Sequence, residues 1–281
     1  MTRLGEAALP GEDLLVVDGL TVRFGGLTAL HDVRLSVGAG TVVGVIGPNG
    51  AGKTTLFNVI CGFVRPQAGR VLWRGEPLVR HRPEHLARLG IVRTLQGLGL
   101  FPGLTVLENV LAGAGRHART GVLPALAGAG RSARDEAELA TRARETLGEL
   151  GIADLAGRLP GVLPYGVRKR VALARALVAD PDLLLLDEPA SGLSAAELAE
   201  LSTLIVSLRR KMAIVLVEHH MDLVMDVCDQ VVVLDFGIRV SVGTPAEVKA
   251  DPAVASAYLG VDVPPDSQLH VGAAPAQAER T

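Results

Sequence analysis

Nine consecutive residues, Gly47-Pro48-Asn49-Gly50-Ala51-Gly52-Lys53-Thr54-Thr55, place four residues between two glycines and a lysine with two threonines directly after the second. Glycine at those points lets the backbone curl until several N–H groups face one polyanion. A helix opening there adds its partial positive charge. Lys53 can then reach β- and γ-phosphates as a point charge, and the Thr54 hydroxyl is placed to ligate Mg²⁺. A second constellation, Leu186-Asp187-Glu188, ends a run of four leucines with two adjacent carboxylates. Adjacent residues leaving a strand point to different sides, which assigns Asp187 to metal and Glu188 to polarising water for attack on a γ-phosphate. His219 is a candidate by position, since it follows the apolar run Ile214 to Val217 and would leave a second buried strand beside the first. His220 is read as its solvent-facing neighbour.

Periodicity indicates which elements hold these side chains. Thr41-Val42-Val43-Gly44-Val45-Ile46 has the β-branched character of a strand buried on both faces, and Leu56, Val59 and Ile60 after the loop fall at helical spacing. Strand, loop and helix thus come in the order a phosphate site needs. Leu14 to Val17 and Leu20 to Phe24 read as two short strands joined by a hairpin at Asp18-Gly19. Leu35-Ser36-Val37 leads to a turn at Gly38-Ala39-Gly40, and Val71-Leu72-Trp73 continues the β pattern with Trp73 as a packing residue. From about Gln96 to Pro164 the texture becomes helical, with a capping box at Thr105-Val106-Leu107-Glu108 and one apolar stripe, Ala140, Ala143, Leu147 and Leu150. Val171 to Val178 reads as a helix and Leu183 to Leu186 as a buried strand. Another capping box at Ser194 to Glu197 opens a helix, strands follow at Ala213 to Val217 and Val231 to Leu234, and Thr244-Pro245-Ala246-Glu247 caps a last helix with proline at its first position.

The 281 residues suffice for one large domain or two small ones, and although 48% are apolar, none of the runs reaches the ~18 residues needed to span a bilayer. Met1 to Glu6 lacks a signal-peptide core, so a cytoplasmic chain is expected. Cys61 and Cys228 lie among apolar neighbours and read as buried reduced thiols. A formal net charge of −2 argues against nucleic acid as a partner. Residues 1–12 are expected to be a flexible extension, residues 262–281 a disordered tail, and Gly121 to Gly130 is apolar with no assignable role.

The phosphate loop, Gln96 in Arg93-Thr94-Leu95-Gln96, Leu163-Pro164-Tyr165-Gly166 before a basic helix, Leu186-Asp187-Glu188-Pro189, and Glu218-His219 together resemble the ATP-binding cassette (ABC) ATPases. The resemblance runs from about Leu14 to Gly260. It is closest to the ATP-binding subunits of branched-chain amino acid importers, through Leu100 to Val110, Glu218 to Met225, Gly243 to Val248, and Asp251 to Gly260. This implies an α/β P-loop NTPase fold of ABC type over residues 13–261, with an N-terminal antiparallel β subdomain and an inserted α-helical subdomain at about 96–165. It also implies hydrolysis of ATP with Mg²⁺. Phe24 would stack on adenine, Gln96 would join the metal and γ-phosphate site to a membrane partner, and His219 would contact the γ-phosphate.

By the same resemblance, Tyr165 and Gly166 would complete the site of a second ATPase subunit in a head-to-tail dimer. Integral membrane permease subunits, and indirectly a substrate-binding protein, would place the chain at the cytoplasmic face of the membrane. The N–H groups around Gly166, opening a helix near Arg168, would form an anion site with no partner in their own chain. Pro164, Tyr165 and Val167 stand where the family usually has serine, glycine and glutamine, and Ser194 where many relatives have aspartate. The cargo could instead be urea, an amide or lipopolysaccharide. A soluble regulatory ATPase outside transport is a third reading, against which stand the near-neutral charge and the single cassette.

Overall fold

Strand β1 (Asp13–Phe24) pairs antiparallel with β2 (Leu27–Gly38) and with β4 (Ala68–Trp73), which carries the short β5 (Glu76–Pro77) at its other edge. The structure is a computed structural model that describes residues 13–79, 81–94, 97–116 and 130–259. Between these strands the chain crosses to a second sheet as β3 (Val42–Ile46), followed by helix α1 (Lys53–Ile60). β6 (Ile91–Arg93), β7 (Leu183–Asp187), β8 (Ala213–Val217), β9 (Gln230–Asp235) and β10 (Ile238–Gly243) complete it in the order β10-β9-β3-β8-β7-β6. All neighbours are parallel except β9 and β10.

All five residues of β3, β7 and β8 are buried, as expected for parallel strands covered on both faces. Alternation divides their side chains between two cores. Val43, Val45, Leu183, Leu185, Val215 and Val217 pack toward the antiparallel sheet and α1. Ile46, Leu184, Leu186, Ile214 and Leu216 pack toward the other helices.

Those helices come partly from the segment between β6 and β7. α2 (Leu86–Leu89) precedes β6, and the segment after β6 contributes α3 (Val106–Leu111), α4 (Gly130–Glu149) and α5 (Tyr165–Leu177). Ala143, Leu147 and Leu150 of the expected stripe are buried with Val106, Val110, Val171 and Ala174. The two expected capping boxes form at Thr105 and Ser194, and the cap expected at Thr244 is a third, on a helix that is followed by one more. They open α3, α6 (Ala195–Leu208) and α8 (Pro245–Ala250). α7 (Met221–Val227) lies between β8 and β9, and α9 (Pro252–Leu259) follows α8.

Two local expectations are corrected. Asp18-Gly19 is not a hairpin, because β1 runs through it as a bulge: Gly19 has φ 65° and the register to β2 shifts between Val17 and Leu20. Asp18 takes Arg34 Nη1 at 2.7 Å and Arg70 Nε at 3.2 Å, from the strands on either side. The reversal falls instead at Gly25-Gly26. Helix α5 begins at Tyr165 rather than near Arg168, since Pro164 stands extended at its N-cap and its carbonyl accepts from Arg168 N at 3.0 Å. Proline has no N–H to leave unsatisfied there.

The loop before α3 is built on one side chain. Asn109, fully buried, accepts from Phe101 N at 2.8 Å and donates to the carbonyls of Phe101, Leu104 and Thr105 at 2.9 to 3.1 Å. Asn109→Ala should therefore destabilise the fold by about 2–4 kcal/mol, because it strands several buried backbone groups at once. An unfolding free energy within about 0.5 kcal/mol of wild type would show that water replaces the amide.

Expectations for residues 1–12, 121–129 and 262–281, and for Gln96, fall outside the described residues. Among the described residues no helix is long and apolar enough to cross a membrane.

Candidate functional site

The phosphate loop leaves β3 and enters α1 through a space that admits only glycine at two points. A Cβ on Gly47 (φ 148°) would lie 2.0 Å from Leu234 O of β9, and one on Gly52 (φ 101°) 2.6 Å from Ala29 O of β2. Both sheets thus press the loop into one curl. Ala51 O accepts from Gly237 N at 3.1 Å. Asn49, Gly50 and Thr54 are exposed on the rim, and Thr55 is half-buried.

Lys53 is buried, and its Nζ donates to Gly47 O at 2.6 Å and Pro48 O at 2.9 Å. Burial lowers its pKa below the ordinary lysine value, against the opposing pull of the Glu188 and Asp187 charges. One ammonium and two carboxylates therefore converge at the carboxyl ends of β3 and β7, the two neighbours of β8, in the region where open α/β sheets bind ligands.

Asp187 ends β7 with its side chain only 2% exposed, and its Oδ2 accepts from Arg93 Nη2 at 2.6 Å. Arg93 also donates to Asn58 Oδ1 at 2.8 Å and lies 5.3 Å over the Phe57 ring. Among the described residues its Nε has no partner. The motif reading missed this arginine. Its signal was a cation closing the apolar pair Ile91-Val92 at the end of a strand that pairs with β7. Glu188, half-buried, has φ 49°, with its N–H donated to Val217 O at 2.9 Å. A non-glycine residue in that conformation costs about 1–3 kcal/mol and persists only where its surroundings enforce it. The hard-oxygen set of Thr54 and Asp187 beside the loop is of the type that holds Mg²⁺.

Of the two histidines after β8, His219 is the more open, its side chain 53% exposed, while His220, expected to be the solvent-facing neighbour, turns back with Nδ1 3.1 Å from Glu218 Oε2. The buried Glu218 carboxylate draws it in. Phe24, half exposed, sits at the tip of the β1–β2 hairpin, whose second strand flanks Gly52.

At the start of α5, the Tyr165 ring lies against Gly192, where a Cβ would approach it to 3.0 Å, with Lys169 Nζ 5.5 Å from the ring. The anion site expected at Gly166 has a carboxylate of its own chain beside it. A Cβ on Gly166 would fall on Glu197 Oε1, so this carboxylate, fixed by the Ser194 capping box, lies against the helix N-terminus. Its negative charge is favoured there by the helix dipole. A cavity of about 620 Å³ joins this segment to the carboxyl pair of Asp187 and Glu188, lined by Tyr165, Gly166, Lys169 and Leu193 among others.

The two cysteines are inert by environment, since burial pushes the Cys61 thiol up to about 11 and that of Cys228 to about 12.

The ABC transporter family profile matches residues 30–191, and that of the branched-chain amino acid ATP-binding cassette transporter matches residues 240–264. LivG of Escherichia coli K12, a high-affinity branched-chain amino acid transport ATP-binding protein, is 40% identical over 251 residues, which cover 89% of this chain and 98% of LivG. BraF of Pseudomonas aeruginosa, described in the same words, is 41% identical over 249 residues, covering 88% and 98%. A crystal structure of the ADP conformation of an ABC transporter's ATP-binding cassette superposes with TM-score 0.77 at 30% identity, over 89% of this chain and 99% of that one.

Proposed function

The chain belongs to the ABC transporter family of ATP-binding cassettes, and on that footing we propose that it hydrolyses ATP to energise a membrane importer of branched-chain or other hydrophobic amino acids. The nucleotide-binding ATPase domain comes with the family. What supports the catalytic assignment is the convergence of Lys53, Asp187 and Glu188 at the end of the central strands. The amino acid cargo rests on likeness along the whole cassette, including the segment 240–264.

In this reading the loop N–H groups from Gly47 to Thr55 and the Lys53 ammonium bind the phosphates, and Phe24 stacks on the adenine. Thr54, Asp187 and Gln96 hold Mg²⁺, which neutralises charge on the phosphate oxygens when bound. Arg93 keeps the Asp187 carboxylate aimed by its bond to Oδ2. Glu188 takes the proton of the attacking water, and His219, exposed at the end of β8, reaches the γ-phosphate. Tyr165 and Gly166 serve the nucleotide of a second ATPase subunit across a head-to-tail dimer. Permease subunits and a substrate-binding protein complete the importer, with this chain on the cytoplasmic face of the membrane.

The test is to tag Glu188→Gln in the native host, solubilise membranes gently with ATP present, and identify what co-purifies. Two polytopic permeases and a second, different ATPase are expected. Recovery from the soluble fraction alone, without membrane partners, would overturn the importer reading.

A further inference from the structure

Glu218 has no part in the chemistry just described, yet it is fully buried. A carboxylate in that position is costly unless its oxygens are hydrogen-bonded. Oε1 accepts from Ala190 N at 2.7 Å. Oε2 accepts from His219 N at 2.9 Å and His220 N at 3.2 Å, with His220 Nδ1 at 3.1 Å. Ala190 lies two residues beyond Glu188. The loops leaving β7 and β8 are thus fastened to the two oxygens of one side chain.

Lys169, from the first turns of α5, grips the same loop from its other side. Its Nζ donates to Pro189 O at 2.6 Å and lies 3.4 Å from Glu188 O. The ammonium is half-buried and feels the charges of Glu218 and Glu188. The segment 188–190 is therefore held by its carbonyls on a cation and by an N–H on an anion. That clamp surrounds Glu188, which stands in a costly backbone conformation at φ 49°.

We propose that Glu218, with Lys169 holding the same loop by its carbonyls, is a positioning residue that fixes the base Glu188 relative to His219. The proposal rests on the roles given above to those two residues. A carboxylate suits the task because its two oxygens offer about four lone-pair sites, enough for donors arriving from two loops. A hydroxyl or an amide oxygen could satisfy only one side. The clamp also carries the position of α5, the helix that opens at Tyr165 and Gly166, onto the base in the same chain.

Glu218→Gln keeps the shape but turns an amide NH₂ toward backbone N–H groups on one side. In the assembled transporter, turnover should fall about 10- to 100-fold, as when a supporting hydrogen bond to a reacting group is lost. ATP affinity measured without Mg²⁺ should stay within about threefold, because nothing in the phosphate loop is touched. In single-turnover measurements on the Glu188→Gln background, the second substitution should add less than about twofold, since both act through one group. Lys169→Met should reproduce the defect, and Lys169→Arg should restore part of it. If Glu218→Gln does not fold, Lys169→Met decides.

Wild-type turnover in Lys169→Met, wild-type turnover in folded Glu218→Gln, or full additivity with Glu188→Gln would overturn the proposal. Near-normal turnover in Glu188→Gln alone would instead overturn the base assignment on which it rests.

Discussion

Glu188→Gln is expected to bind ATP as the wild type does and to lose roughly 10²–10⁴-fold in turnover. The amide has the size of the carboxylate, and the backbone bond from Glu188 N to Val217 O that helps hold the residue at φ 49° is untouched. What disappears is the capacity to take a proton from water as attack proceeds, an interaction made only in the transition state. Equilibrium nucleotide binding and single-turnover hydrolysis, measured on the same preparation, separate the two effects. Turnover near that of wild type would remove Glu188 from the role of base.

The same substitution carries a pH signature. Burial already lowers the Lys53 pKa, and the Glu188 charge is the first of two that oppose it. Without that charge the lysine is depressed further. Its protonated form binds phosphate, so affinity falls as pH rises through the lysine pKa. In Glu188→Gln this alkaline fall should begin at lower pH than in the wild type. Superimposable pH profiles would show that the two groups do not interact.

Lys53→Ala is expected to abolish useful nucleotide binding. Truncating one partner of a buried, charge-assisted contact costs about 2–5 kcal/mol, and the lower end of that range already weakens Kd about thirtyfold. Two further consequences add to it here. Gly47 O and Pro48 O lose their donor, so the loop is less firmly curled before phosphate arrives. Asp187 keeps Arg93 as a cation, whereas Glu188 loses the ammonium nearest the phosphate loop. Nucleotide titration of the folded variant decides the matter, and an unchanged ATP affinity would sink the assignment.

Patterns that depend on neighbours within one turn or one strand were legible without coordinates. The β-branched run before Gly47, the glycine spacing, the carboxyl pair after four leucines and the helix caps at Thr105, Ser194 and Thr244 each follow from interactions spanning a few residues. The same locality explains the misreadings. Asp-Gly serves a bulge as well as it serves a turn, and only Arg34 and Arg70 on the flanking strands hold Asp18 in the first.

What the tertiary structure alone decided is which polar groups meet across distant segments. Arg93 finds Asp187 at a separation of 94 residues, Lys169 finds Pro189 at 20, and Ala190 finds Glu218 at 28. Glu197 settles against Gly166 although its capping-box partner is three residues away. Apolar residues announce their burial through the period of the element that carries them. A single charged side chain has no period, and its partner is set by sheet order and strand register, which bring the ends of β6, β7 and β8 together only once the whole sheet has formed.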